Sequence, residues 1–111
     1  MISITVLKTG HQYKGFICEG HAGYAEYGKD IVCAGVSAVM QTLRPALLER
    51  GIRNTMHMMT TGESRMAVKA EPECEQRYPC LVVFETVLAG LKEIARAYPD
   101  YVSIKIEKGE R

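Results

Sequence analysis

The residues best suited to chemistry are Gly20-His21 and, beyond a glycine-containing loop at 22–29, Asp30-Ile31-Val32-Cys33. Asp30 precedes an apolar pattern of helical period, as a helix N-cap does. Cys33 then falls in the first helical turn, where unpaired N–H groups and the positive end of the helix dipole favour a thiolate. Such a position is expected to lower the thiol pKa. His21 closes an extended segment just before the loop, so its imidazole could take the Cys33 proton. Free amides at the helix start could hold an oxyanion. Ser37 lies one turn beyond Cys33 on the same helical face, where its hydroxyl could bond the sulfur, the histidine or a peptide. Asp30 could cap the helix, orient His21, or do both.

The plain alternative is that Cys33, among Val32, Ala34, Gly35 and Val36, is a small buried hydrophobe. The other thiols offer less. Cys18 lies in a strand without an adjacent base, and Cys74 and Cys80 flank a proline-containing polar turn. His11 falls in a turn and His57 among methionines, so no metal site is expected. Met56, Met58, Met59 and Met66 are expected to pack a sheet face or a dimer contact. Gly23 to Asp30 imitates a phosphate-binding loop, but Asp30 replaces the hydroxyl that would hold magnesium, and Glu26 adds negative charge. No nucleotide and no other cofactor is expected.

These side chains must be held by a recognisable set of elements. Ile2, Ile4 and Val6 alternate with polar residues, and after a turn at Thr9–Gln12 a second strand runs from Tyr13 to Glu19. The helix after Asp30 carries Ile31, Val32, Val36, Val39, Met40, Leu43 and Leu47, with a kink or break expected near Arg44 because Pro45 removes an intrahelical bond. Gly51 ends it. A second hairpin pairs Ile52–Met59 with Arg65–Glu71 through residues 60–64. Leu81, Phe84, Leu88, Leu91 and Ala95 mark an amphipathic helix stopped by Pro99, and Val102, Ile104 and Ile106 a last strand. The order strand, strand, helix, strand, strand, helix, strand predicts a two-layer α/β (α+β) sandwich with a mixed or antiparallel sheet, one domain over residues 1–111. An uncovered sheet edge makes a homodimer plausible.

The chain has 111 residues with a formal charge of +1, so it offers no basic excess for nucleic acid or membrane surfaces. Its start carries no signal-peptide pattern, and no run approaches the ~18 apolar residues of a membrane span. A cytoplasmic protein with reduced thiols is expected.

The string from Gly20 through His21, Gly23, Tyr24, Ala25, Gly28, Asp30, Ile31, Val32, Cys33, Ala34, Val36 and Ser37 to Ala38 resembles the signature of the Prp family, the bacterial ribosomal-processing cysteine proteases. The start Met-Ile-x-Ile and the ending Tyr98-Pro99-Asp100-Tyr101-Val102 are similar to that family as well. The resemblance implies an endopeptidase that removes the N-terminal extension of large-subunit ribosomal protein twenty-seven after paired phenylalanines, and so supports ribosome assembly. It implies Cys33 as nucleophile, His21 as general base, functional roles for Gly20, Asp30 and Ser37, a mobile loop between His and Cys, and a homodimer. Gly23 and Gly28 would let that loop move, with Tyr24 and Tyr27 placed to meet an aromatic substrate side chain. The rival expectation is a non-catalytic module that docks a ribosomal protein or rRNA.

Overall fold

The computed structural model describes residues 1–26, 29–59 and 65–109. Alternation along the N-terminal segment produces strand β1 (Ile2–Thr9), which turns at Gly10-His11 into β2 (Gln12–Glu19). Helices α1 (Ile31–Gln41) and α2 (Leu43–Glu49) lead to the hairpin β3 (Arg53–Met59) and β4 (Arg65–Glu71). The expected hairpin connection at 60–64 lies outside the described residues. A single 3-10 turn at Cys74–Gln76 precedes α3 (Arg77–Ala97), and β5 (Val102–Lys108) ends the fold.

The five strands lie in the order β3-β4-β2-β1-β5. Neighbours are antiparallel except β1 and β5, which pair in parallel from Ile2 opposite Val102 to Lys8 opposite Lys108. The sheet is therefore mixed, as anticipated. Period-2 alternation sends Ile2, Ile4, Val6, Phe16 and Val68 to one face, where they form a core with Val32, Val36, Met40, Leu43 and Leu47 of α1 and α2 and with Phe84, Leu88 and Leu91 of α3. The opposite face carries exposed Ser3 and Lys69.

The first expected helix is two helices. The break falls at Thr42, slightly upstream of the expected point near Arg44, because Pro45 has no N–H for the carbonyl of Gln41, four residues earlier. Thr42 stands at the junction: its hydroxyl donates to the Val39 carbonyl at 2.6 Å, and its own carbonyl accepts from Ala46 N–H at 3.2 Å. The later helix starts at Arg77, earlier than its leucine spacing indicates. Pro79 sits in its first turn, where a missing N–H costs nothing.

Together the 19 residues Ile31–Glu49 have the length and apolarity of a membrane span, with a mean hydropathy of 1.5, which corrects the expectation that no segment comes near one. In the fold they are a core element, with one face buried against the sheet and α3.

Candidate active site

Asp30 fixes the start of α1. Its backbone is extended, its carbonyl accepts from Ala34 N–H at 3.1 Å, and its Oδ1 accepts from Cys33 N–H at 2.9 Å. The second oxygen, Oδ2, accepts from Tyr24 N–H at 3.1 Å and ties the preceding loop to the helix start. Asp30 is thus a cap and a loop clamp, and among the described residues neither oxygen is bonded to His21. The Cys33 amide hydrogen bond is the foremost cause of a carboxyl pKa below the ordinary value.

Strand β2 ends at Glu19, and the chain turns through Gly20, whose φ is +93°. A Cβ there would lie 2.5 Å from the Met1 carbonyl oxygen, so only glycine fits both the angle and the approach of the neighbouring backbone. The turn sends Ala22 back onto α1. Ala22 is buried, and its N–H donates to Cys33 Sγ at 3.2 Å. His21 immediately precedes it, exposed, and lines the same groove as Cys33. Among the described residues no hydrogen bond joins imidazole to sulfur.

That groove, about 740 Å³, runs between α1 and the sheet. Gly20, His21, Gly23, Asp30, Cys33 and Ser37 all line it, so the structure gathers in one groove residues from the end of β2, the loop and the first turns of α1. Met40, Met58 and Met66 supply apolar wall, a use of the methionines beyond sheet packing. Tyr24 behaves differently from expectation. Its ring packs edge-on against Tyr98 and Tyr101, with centroids 5.6 and 5.2 Å away, so it anchors the loop to the end of α3 and the start of β5 and does not line the groove. Tyr27 and Gly28 lie outside the described residues. Sequence reasoning missed the Ala22 amide, which no side-chain pattern announces. It also missed Gln41, whose spacing from Ser37 was a usable signal and whose Nε2 donates to Ser37 Oγ at 2.8 Å.

The electrostatics correct a further expectation. Burial pushes the Cys33 thiol above its ordinary pKa and the Asp30 carboxylate pushes the same way, while the Ala22 amide opposes them. The helix-start advantage is lost because the cap carboxylate occupies the Cys33 N–H and brings a negative charge beside the sulfur. The resting thiol is therefore neutral near neutral pH. Cys18, in the same groove, is pushed up to about 11, by burial first and then, where it titrates, by repulsion from the ionised forms of Cys33 and Glu19. Among the described residues no group of three or more His, Cys, Asp or Glu side chains could hold a metal ion.

The family model described as cysteine protease Prp matches residues 1–103. The ribosomal processing cysteine protease Prp of Bacillus subtilis is 29% identical over 93 residues, covering 80% of this chain and 81% of that one. The crystal structure of a Streptococcus mutans protein superposes with a TM-score of 0.85 at 28% identity, over 98% of this chain and 96% of that one. A Staphylococcus aureus ribosomal processing protease Prp, in complex with a covalently linked product peptide, gives 0.86 at 24% identity over 96% of this chain and all of that one, a likeness of fold. A match over nearly the whole chain, around a groove that holds a half-buried cysteine beside a histidine-bearing loop, places this protein in the cysteine protease Prp family.

Proposed function

We propose that the protein removes the N-terminal extension of large-subunit ribosomal protein twenty-seven, with Cys33 as nucleophile and His21 as general base. The observation that carries this reading is the shared groove: His21 and Cys33 open into one cleft, and the Ala22 amide next to His21 touches the sulfur. The relatives' names as ribosomal processing proteases, and the product peptide linked to the Staphylococcus aureus protein, support a peptide substrate.

The neutral thiol sets the first step. As substrate closes the loop over the groove, the Cys33 proton passes to His21 and the sulfur attacks the scissile carbonyl carbon. The carbonyl π electrons move to oxygen. Ala22 N–H, which donates to the sulfur at rest, is the donor assigned to that oxyanion in this mechanism. Collapse of the intermediate breaks the C–N bond, and the imidazolium gives its proton to the leaving amine. Water, deprotonated by His21, then hydrolyses the thioester and regenerates the thiol.

The protein is further proposed to act in the cytoplasm as a homodimer, consistent with four free cysteines and with edge strands β3 and β5 open to a second copy. The test is to incubate purified protein with a peptide spanning the extension and to read product masses, with light scattering on the same sample. Cys33→Ala and His21→Ala should each lower cleavage by about three orders of magnitude or more. Undiminished cleavage by Cys33→Ala removes the assignment, and peptide binding without cleavage by the native protein favours a docking module. A monomeric mass at full activity removes the dimer.

A further inference from the structure

The floor of the groove presents a polar side chain at each successive turn of α1: Cys33, Ser37 and Gln41, four residues apart, all line it. Four residues advance a helix by about 6 Å, while an extended peptide advances about 3.3 Å per residue. A peptide lying along α1 with its scissile bond at Cys33 therefore passes Ser37 about two residues from that bond and Gln41 about four residues from it.

Their hydrogen bond fixes what each can offer. Gln41 Nε2 donates to Ser37 Oγ at 2.8 Å, which uses a lone pair of the hydroxyl and leaves its one proton free. Serine and threonine hydroxyls in helices commonly return that proton to the carbonyl four residues back. Thr86 does so in α3, donating to the Val82 carbonyl at 2.7 Å. Among the described residues the Ser37 proton has no acceptor, and Gln41 Oε1 has no donor. Gln41 is exposed, so core packing does not explain its orientation. A free hydroxyl donor beside a free amide acceptor is the complement of a peptide C=O and N–H.

We propose that Gln41 is a substrate-positioning residue: it directs the Ser37 proton towards a peptide carbonyl and accepts a peptide N–H about four residues from the scissile bond. The inference rests on the protease reading of the groove and adds to it a requirement for peptide length, read through backbone groups. Gln41 acts on binding and alignment and touches no reacting atom.

The test measures fluorescence anisotropy of two labelled peptides from the extension, one with six residues on each side of the scissile bond and one with two, against Cys33→Ala protein with and without a change at Gln41. Gln41→Ala should weaken the long peptide about fivefold to tenfold, the worth of one or two hydrogen bonds, and the short one less than twofold. Gln41→Glu should weaken the long peptide at least as much, because a carboxylate takes the Ser37 proton for itself. In turnover with Cys33 intact, Gln41→Ala should raise KM for the long peptide with far less change in kcat. Equal losses for both peptides, no loss for the long one, or native affinity in Gln41→Glu would overturn the positioning role while leaving the protease reading intact. Failure of the native protein to cleave or bind either peptide would overturn both.

Discussion

Asp30 stabilises the helix that carries Cys33 and also opposes ionisation of its thiol. The cap bond to Cys33 N–H lowers the carboxyl pKa, and burial first, then the charge of that carboxylate, push the thiol pKa up. A carboxyl with a lowered folded-state pKa contributes stability that is present above the ordinary carboxylate range and is lost as pH falls through the lower, folded value. Asp30→Asn separates the two effects, because asparagine keeps an oxygen for the cap and carries no charge. Iodoacetamide alkylation of Cys33, followed by mass from about pH 6 to 10, should show its midpoint moving down in the variant. An unchanged or higher midpoint would mean that Asp30 does not restrain the thiol. The cap was legible in the sequence because it depends on four consecutive residues. The thiol's environment was not, since it depends on Ala22 folding back over a turn that no periodicity encodes.

At the scale of elements, the junction between β2 and the loop places His21. Gly20 combines a φ of +93° with a backbone neighbour, the Met1 oxygen, where a Cβ would stand. Gly20→Ala must strain the angle and push β1 and the loop apart, which costs about 1–3 kcal/mol. Because the strain is released next to His21, cleavage should fall further than lost stability explains, and the protein still folded in the assay should itself be less active. Urea unfolding with peptide turnover on the same samples checks this, and native values in both would show that the junction tolerates a side chain. Strands β1, β2 and β4 and the stop before Pro99 were readable from alternation and proline chemistry. The break in the first helix was readable in kind but displaced, because proline acts on the carbonyl four residues back, that of Gln41, and the two helices meet at the next residue, Thr42. The seat of Tyr24 on Tyr98 and Tyr101 joins segments more than seventy residues apart, which local pattern does not reveal.

For the whole molecule, the aromatic joint between sheet and α3 holds the layers in place outside the groove that Cys33 lines. Phe84 of α3 is fully buried, stacks on Tyr13 at 5.8 Å and meets Phe16 edge-on at 5.0 Å, both from β2. None of the three lines the groove, whose walls are α1, the ends of β1, β2, β3 and β4, and the loop. Helical spacing marked Phe84 as inward-facing, but its partners follow from the sheet order, which sets β2 centrally between β4 and β1 and beneath the long helix. Phe84→Ala should cost about 3–5 kcal/mol through lost burial and a residual cavity, a large share of the ~5–15 kcal/mol that stabilises a domain. That corresponds to a fall in Tm of about 10–25 °C. Below the new transition, kcat/KM per folded molecule should stay within about twofold of native, because α1 and the β2 terminus keep their own contacts. A small shift in Tm would show that the core collapses around the void. A large fall in kcat/KM at a temperature where the variant is fully folded would show instead that α3 transmits its packing to Cys33 through α1.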